Sequence, residues 1–352
     1  MPSSALRTLT LMEDAWAVKT HFPYRLGGYL RRMSFSSVAH SADVSRALSE
    51  IPLPENLGYL PEYGLGIRHL MDSEGVGTVF RDLGPIAEQK EGLVYPFFSL
   101  WNVDGRFSRA NPKNVPILVQ MIRKHVPVIS PPTVEEYVLN FILRPFLEVW
   151  AYFLVHHGML FDAHGQNALF KLDRDYRIRK IIYRDLQATR IDKNLREKNK
   201  LWKGFKKHIL GTEETSEAQS LGLIYDRILG GFVFDSIVQT TAAYFPVREA
   251  CLINGIRSLF AEILGDHAER FYKYEVRLKT RGGHSVLDRT TNTTPLAETK
   301  ETPKYRRMPH GARLAPPLVS NGRSATGSRL ANETNGGMAK AKMSPKLLKL
   351  FE

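Results

Sequence analysis

The stretch Phe161–Asp185, FDAHGQNALFKLDRDYRIRKIIYRD, gathers residue types that handle phosphate and hard cations. Asp162, His164, Gln166 and Asn167 fall within six residues, and Asp185 follows Asn167 by 18. Mg2+ prefers an octahedron of hard oxygens, commonly one or two carboxylates completed by phosphate oxygens and water. Imidazole and amide groups can hold phosphate oxygens and stabilise the charge that builds as pyrophosphate departs. Asp162 and Asp185 therefore suit Mg2+, and His164, Gln166 and Asn167 suit a nucleotide phosphate. Alone, D-x-H-x-Q-N also reads as a polar loop whose Asp and Asn make turns and caps. The second carboxylate, placed at the end of a strand, puts the two readings on even terms.

The elements around the cluster must bring its two halves together. Ala168–Leu172 and Ile178–Arg184 read as strands of a hairpin, with Asp173–Asp175 as the turn. A hairpin joins its ends, so Asp185 faces the 162–167 segment. Upstream, residues 132–159 read as a long helix. Thr133 and Glu136 form a capping box, and Val134, Val138, Phe141, Ile142 and Phe146 recur at helical spacing. Pro145 should kink this helix and Gly158 should end it. Beyond Asn194 the pattern is helical over 195–210, 216–244 and 247–264, the last opened by Pro246. Residues 1–130 read as strands and loops, with runs such as Gly75–Arg81 and Gly92–Trp101 between breakers and a short helix at Ser41–Ile51. The expected class is α+β: a β-rich part over 1–130, a mainly helical part containing the hairpin over 131–282, and a tail over 283–352. The tail is rich in Thr, Asn, Gly, Ser and Pro and is expected to be disordered, with Met343–Phe351 as a short terminal helix. There is no internal repeat.

Bulk properties narrow the function classes. The chain has 352 residues and a net charge of +13, which raises a nucleic-acid role. Residues 281–352 hold 13 of the 49 Lys and Arg and 5 of the 36 Asp and Glu, a net of +8 against +5 for the rest. A basic tail is more often a solvated segment than a specific site, so nucleic acid ranks behind a small-molecule partner. The longest apolar region, Val138–Leu160, is broken by Asn140, Arg144, Pro145, Glu148 and two histidines, so no membrane span is expected. No basic n-region precedes an apolar run at the amino terminus, and the single Cys251 forms no internal disulfide. A cytoplasmic location is the expectation.

D-A-H-G-Q-N, a following hairpin and then R-D resemble the hallmark of the IucA/IucC family, the siderophore synthetases that work without a nonribosomal peptide synthetase. The preceding F-I-L-R-P-F-L-E-V-W resembles it too, as does the start of the chain. Ser3–Thr8 is similar to the family's S-x-R-T element, Lys19 follows at the spacing of the family's next-strand Lys, and Arg31 matches a later Arg. Phe80-Arg81-Asp82 is similar to an Arg-Glu element. Read alone, Arg7, Lys19 and Arg31 are surface cations. The resemblance implies ATP and Mg2+ as cofactors. It also implies a carboxylic acid substrate, citrate or a derivative, that is adenylated and then condensed with an amine or hydroxyl to give an amide or ester. It makes Arg7, Thr8, Lys19 and Arg31 phosphate or nucleotide contacts, together with His164, Gln166 and Asn167. His164, Arg31 and Lys19 become the catalytic residues, Asp162 and Asp185 the metal ligands, and Arg184 an orienter of Asp185 or a contact for the acid. It also implies a fingers-like domain over 1–130 and a palm-like domain over 131–282.

The sequence departs from the pattern in two ways. Asp162 and Asp82 stand where the family usually has Glu, one methylene longer. The family's amino-terminal region, with its His-Pro-rich motif and part of the acid site, has no counterpart here. The expectation is an exposed apolar surface or strand edge, and a chain that acts alone, as a homodimer, with a separate amino-terminal partner chain, or as a non-catalytic remnant. A different enzyme class stays open: H-G-M-L-F-D-A-H-G-Q-N followed by R-D superficially resembles aminoglycoside-phosphotransferase kinases. The product discriminates, AMP and pyrophosphate against ADP. The family is sometimes described with a ferric-reductase-like region. An iron–sulfur cluster takes about four Cys ligands, which Cys251 alone does not supply.

Overall fold

The computed structural model describes residues 8–11, 15–22, 25–26, 29–30, 32–67, 75–87, 92–102, 115–212, 216–273, 278–281, 284–287 and 304–306. Arg7 and Arg31 lie outside the described residues. The chain opens with an antiparallel pair, β1 (Thr8–Leu11) and β2 (Trp16–Lys19), and a two-residue hairpin of β3 (Arg25–Leu26) and β4 (Tyr29–Leu30). Helix α1 (Phe35–Ser49) follows, capped by Ser34, whose hydroxyl accepts the Ser37 N–H. This helix starts six residues before the expected Ser41. Then come β5 (Leu57–Tyr59), β6 (Glu62–Ile67), β7 (Val76–Asp82), the single turn α2 (Gly84–Ala87) and β8 (Leu93–Pro96).

Four of these strands make an antiparallel sheet in the order β1-β2-β7-β6. Its inner face lies against α1. The approach is close because Gly64 has no side chain there: a Cβ on it would sit 2.3 Å from Val38 Cγ1. Alternation along the strands then sets which residues face α1. In β7 these are Val79 and Arg81, and in β6 they include Glu62. Three of the buried residues on this face, Lys19 of β2 included, are therefore charged.

The first 130 residues also contain α3 (Ile117–His125), so they are not strands and loops alone. The long helix is present as α4 (Pro131–Tyr137), a π-helical turn over Val138–Leu143 and α5 (Arg144–His157). Its cap is Ser130 with Thr133, two reciprocal bonds, and not Thr133 with Glu136. The expected kink at Pro145 takes the form of the wide turn just before it. There the Arg144 N–H reaches back to the Leu139 carbonyl, and the proline, which has no N–H to give, follows at once. Gly158 ends the helix at φ 57°, with its N–H on the Leu154 carbonyl at 2.9 Å.

After the pair β9 (Met159–Leu160) comes the hairpin β10 (Ala168–Leu172) and β11 (Ile178–Tyr183). Asp173 Oδ1 closes its turn by accepting the Asp175 and Arg177 N–H groups at 2.9 Å each. The hairpin sits inside a second sheet ordered β5-β11-β10-β8, with β5 parallel to β11. The strand β12 (Arg190–Ile191) pairs with β9.

The expected helix over 195–210 is only α6 (Lys193–Lys198). Lys200 at φ 58° and Gly204 at φ 70° turn the chain, and Ile209 bridges to Ile191. The remaining helices are α7 (Glu217–Leu223), a π-helical run over Ile224–Phe234, α8 (Asp235–Tyr244), α9 (Glu249–Leu264) and α10 (Glu269–Tyr272). Three short strands, β13 (Leu278–Arg281), β14 (His284–Leu287) and β15 (Lys304–Arg306), form an antiparallel sheet partly within the stretch expected to be disordered. The rest of that tail, including Met343–Phe351, lies outside the described residues.

One large core holds the parts together around α5. Trp150, Phe146 and Phe153 are fully buried there, among Phe97 of the turn after β8, Phe170 and Tyr183 of the second sheet and Tyr225, Phe260 and Phe271 of the later helices. Pro131–His157 is 27 residues long and apolar enough to cross a membrane by length and composition. Most of its large side chains lie in the core of this fold, though Phe141 is exposed, and Arg144 on it grips Glu262 of α9 through two 2.9 Å hydrogen bonds.

Candidate active site

The segment 162–167 is a tight turn at the mouth of the β10–β11 hairpin. Asn167 and Ala168 donate their N–H groups to the His164 carbonyl at 2.9 and 3.2 Å. The Gln166 N–H donates to His164 Nδ1 at 3.1 Å. An Nδ1 that accepts has its proton on Nε2, and that nitrogen lies 3.9 Å from Asp162 Oδ2. Gly165 lets the turn press on the 3-10 turn Phe97–Leu100: its carbonyl accepts the Phe98 N–H at 2.9 Å, and a Cβ on it would meet Trp101 at 2.7 Å.

The hairpin brings the other half into place. Arg184 donates its N–H to the Asn167 carbonyl and its Nε to the Gln166 carbonyl, both at 3.0 Å. Burial, with Arg81 close by, lowers the Arg184 pKa to about 10. The next residue, Asp185, has left-handed backbone, φ 70°, ψ 55°. Its Oδ1 accepts from Lys19 Nζ of β2 and lies 3.7 Å from Arg81 Nη2 of β7. Thr8 stands opposite Lys19 in the sheet register and is buried.

Beneath Asp185 is an ion pair not anticipated as part of the site. Arg81 donates to Glu62 Oε1 through Nε at 2.8 Å and Nη2 at 2.5 Å, and Glu62 also accepts the Asp185 and Leu186 N–H groups at 3.0 Å each. Ser41 of α1 donates its hydroxyl to Oε2. The side chains of Arg81 and Glu62 are 6% and 1% exposed, so the pair is sealed from water. Burial works to lower the Arg81 pKa, but Glu62 and Asp185 outweigh it and hold it above the usual arginine value. One signal in the sequence marks the pair: Arg81 alternates with Val79 on the inward register of a strand, where a charge needs a partner.

The structure thus joins Lys19 to Asp185 and ties Gln166 and Asn167 to Arg184. Asp162 Oδ2 lies 3.9 Å from His164 Nε2. Among the described residues no group of three or more His, Cys, Asp or Glu side chains could by itself hold a metal ion.

Known structures share this arrangement of elements. The chain matches the petrobactin biosynthesis protein AsbB from Bacillus anthracis at TM-score 0.62 and 16% identity, over 78% of this chain and 48% of that one. It matches the ATP-bound aerobactin synthetase IucA from Klebsiella pneumoniae at 0.57 and 17%, over 74% and 47%, and IucC from the same organism at 0.53 and 15%, over 75% and 46%. The chain has the siderophore-synthetase fold. It spans about half the length of each of these structures. The match agrees with the IucA/IucC resemblance carried by the motifs. Residues 139–290 also match a family model described as ferric iron reductase FhuF-like transporter, a span that contains the 162–185 site. Within this sequence the lone Cys251 leaves no cysteine set for an iron–sulfur cluster. No curated protein matches the chain.

Proposed function

We propose that this synthetase fold binds ATP and activates a carboxylic acid for siderophore biosynthesis. The observation that carries this reading is the meeting of Lys19, Arg81 and Arg184 around Asp185 at the hairpin mouth, beside His164. With Asp162 counted beside Asp185 and Glu62 the cations and carboxylates balance, so the cations offer direct contacts to a polyphosphate and Mg2+ would supply the further charge that relieves its crowding against an anionic acid. The ATP-bound neighbour supports the same nucleotide.

In this reading the substrate carboxylate attacks the α-phosphorus of ATP and pyrophosphate leaves. An amine or hydroxyl then displaces AMP to give the amide or ester. Lys19 gives its ammonium to a phosphate oxygen, and His164 donates from Nε2 to a second. Gln166 and Asn167 fix the turn that presents His164. Arg7, Thr8 and Arg31 belong to the phosphate side by their place in the motif pattern, and Arg184 holds the turn against the hairpin.

The residues fit Mg2+. Asp162 and Asp185 are carboxylates with side chains 23% and 22% exposed, open to a ligand. Two hard-oxygen donors with phosphate and water completing the shell is how Mg2+ is usually bound. Mg2+ would supply charge neutralisation on the phosphates, and Lys19 exchanges its bond to Asp185 for one to phosphate. The acid is read as citrate-like, residues 1–130 as fingers-like and 131–282 as palm-like.

Pyrophosphate release by the purified chain with ATP, Mg2+, citrate and hydroxylamine tests the reading. Release that Asp185→Ala and His164→Ala each reduce by about 100-fold or more supports it, a scale set by losing one charge-stabilising group. ADP in place of AMP replaces it with phosphotransfer. ATP binding without release points to a half-enzyme that needs its acid site in trans.

A further inference from the structure

Glu62 is a densely bonded buried carboxylate. Five donors converge on it: two nitrogens of Arg81, the backbone N–H groups of Asp185 and Leu186, and the Ser41 hydroxyl. Those donors come from three separate parts of the fold, β7, the end of the β10–β11 hairpin and α1. The β6 backbone is pinned to α1 as well, by the Glu62 N–H on Ser45 Oγ at 2.9 Å.

The geometry of Asp185 explains why such a clamp is needed. A non-glycine residue at φ 70° sits in a region that L side chains avoid, so neighbouring bonds must hold it there. Both backbone donors that follow this conformation, at 185 and 186, end on Glu62. Arg81 then links the clamp to the ligand side, since one guanidinium touches Glu62 and lies 3.7 Å from Asp185 Oδ1. An ion pair placed only for stability would have no reason to reach the carboxylate that Lys19 holds.

We propose that Glu62 is a positioning residue: its carboxylate holds the Asp185–Leu186 turn and Arg81 together, and so fixes how Asp185 and Lys19 meet a nucleotide–metal ligand. The identity of the ligand rests on the nucleotide reading above; the clamp does not.

Glu62→Gln keeps the volume and halves the accepting capacity. An amide NH2 then faces donors that had faced oxygen, and the turn loses a charged acceptor. Hydrogen exchange of the peptide spanning 183–188 should speed up in this variant without ligand. Binding of a fluorescent ATP analogue with Mg2+ should weaken by about tenfold, roughly the loss of one charge-assisted hydrogen bond, while far-UV circular dichroism stays the same. Ser41→Ala removes only the hydroxyl contact and should show the same two changes more weakly; it serves if Glu62→Gln does not fold. Unchanged exchange over 183–188 overturns the clamp. Faster exchange with parental affinity overturns the positioning role and leaves Glu62 structural. A parent chain that binds no nucleotide overturns the nucleotide reading, and the exchange measurement alone then decides the clamp.

Discussion

Charged and titratable side chains in the interior give the sharpest expectations at the residue scale. Arg81 and Glu62 are sealed in together, so removing one strands the other. Arg81→Met should cost about 3–5 kcal/mol in denaturant unfolding, as expected for a buried charge left without its partner. Histidines give a second test. Burial lowers His40, His157 and His208 to about 4 each; Lys207 and Arg190 add to this at His208, and His156 and Arg196 at His157. At His40 the 2.8 Å bond to the Thr189 carbonyl works in the opposite direction and is outweighed. Folded pKa values lie below the unfolded one near 6.5, so between those limits the unfolded chain binds more protons. The stability they contribute is present above pH 6.5 and is lost as pH falls towards 4. Urea midpoints at pH 7.5 and 5.0 should differ accordingly. Both ring nitrogens of His157 are buried without a hydrogen-bond partner among the described residues, so His157→Leu should remove one proton from that slope and narrow the gap.

At the scale of elements, the turn 162–167 depends on its contact with the segment that follows β8. Gly165→Ala places a Cβ 2.7 Å from Trp101 and 3.1 Å from Phe98 Cβ. It should cost about 1–3 kcal/mol by overpacking and weaken ligand binding at the same time. Trp101→Leu should restore part of both losses in the double variant, a coupling read by a double-mutant cycle. The hairpin beside this turn was legible in the sequence, because alternation and a D-x-D turn are local signals. The stretch 195–210 was not. Leu195, Trp202 and Phe205 mimic helical spacing, but Trp202 and Phe205 meet edge to face, and Lys193 and Arg196 lie over their rings at 5.6 and 5.1 Å. A left-handed Lys200 breaks the helix between them.

On the scale of the whole molecule, the outer face of the β1-β2-β7-β6 sheet stands out. Leu9, Val18, Phe80 and Tyr63 lie side by side across it by register, with Leu65 and Val76 further along. Leu9 is 59% exposed and Leu65 63%. Contiguous apolar surface of this kind is an aggregation liability. Leu65→Lys should lower light scattering on heating and shift unfolding stability by no more than about 0.5 kcal/mol, as for an ordinary surface site.

The sequence by itself determined the α+β class, the hairpin, the long apolar helix with its glycine stop, and the polar set from Asp162 to Asp185. Each of these is written in local periodicity, turn chemistry or spacing. Only the tertiary structure decided what Asp185 faces. Lys19 lies 166 residues away and Glu62 lies 123 away, and no local pattern links positions so distant. Packing of α1 on the first sheet, and of that sheet on the hairpin end, joins Lys19, Glu62, Arg81 and Asp185 into one network whose Arg81–Glu62 pair is sealed and whose Asp185 stays open. Burial makes the pairing of Arg81 with Glu62 obligatory, because an unpaired charge on that inner face would be far too costly to keep.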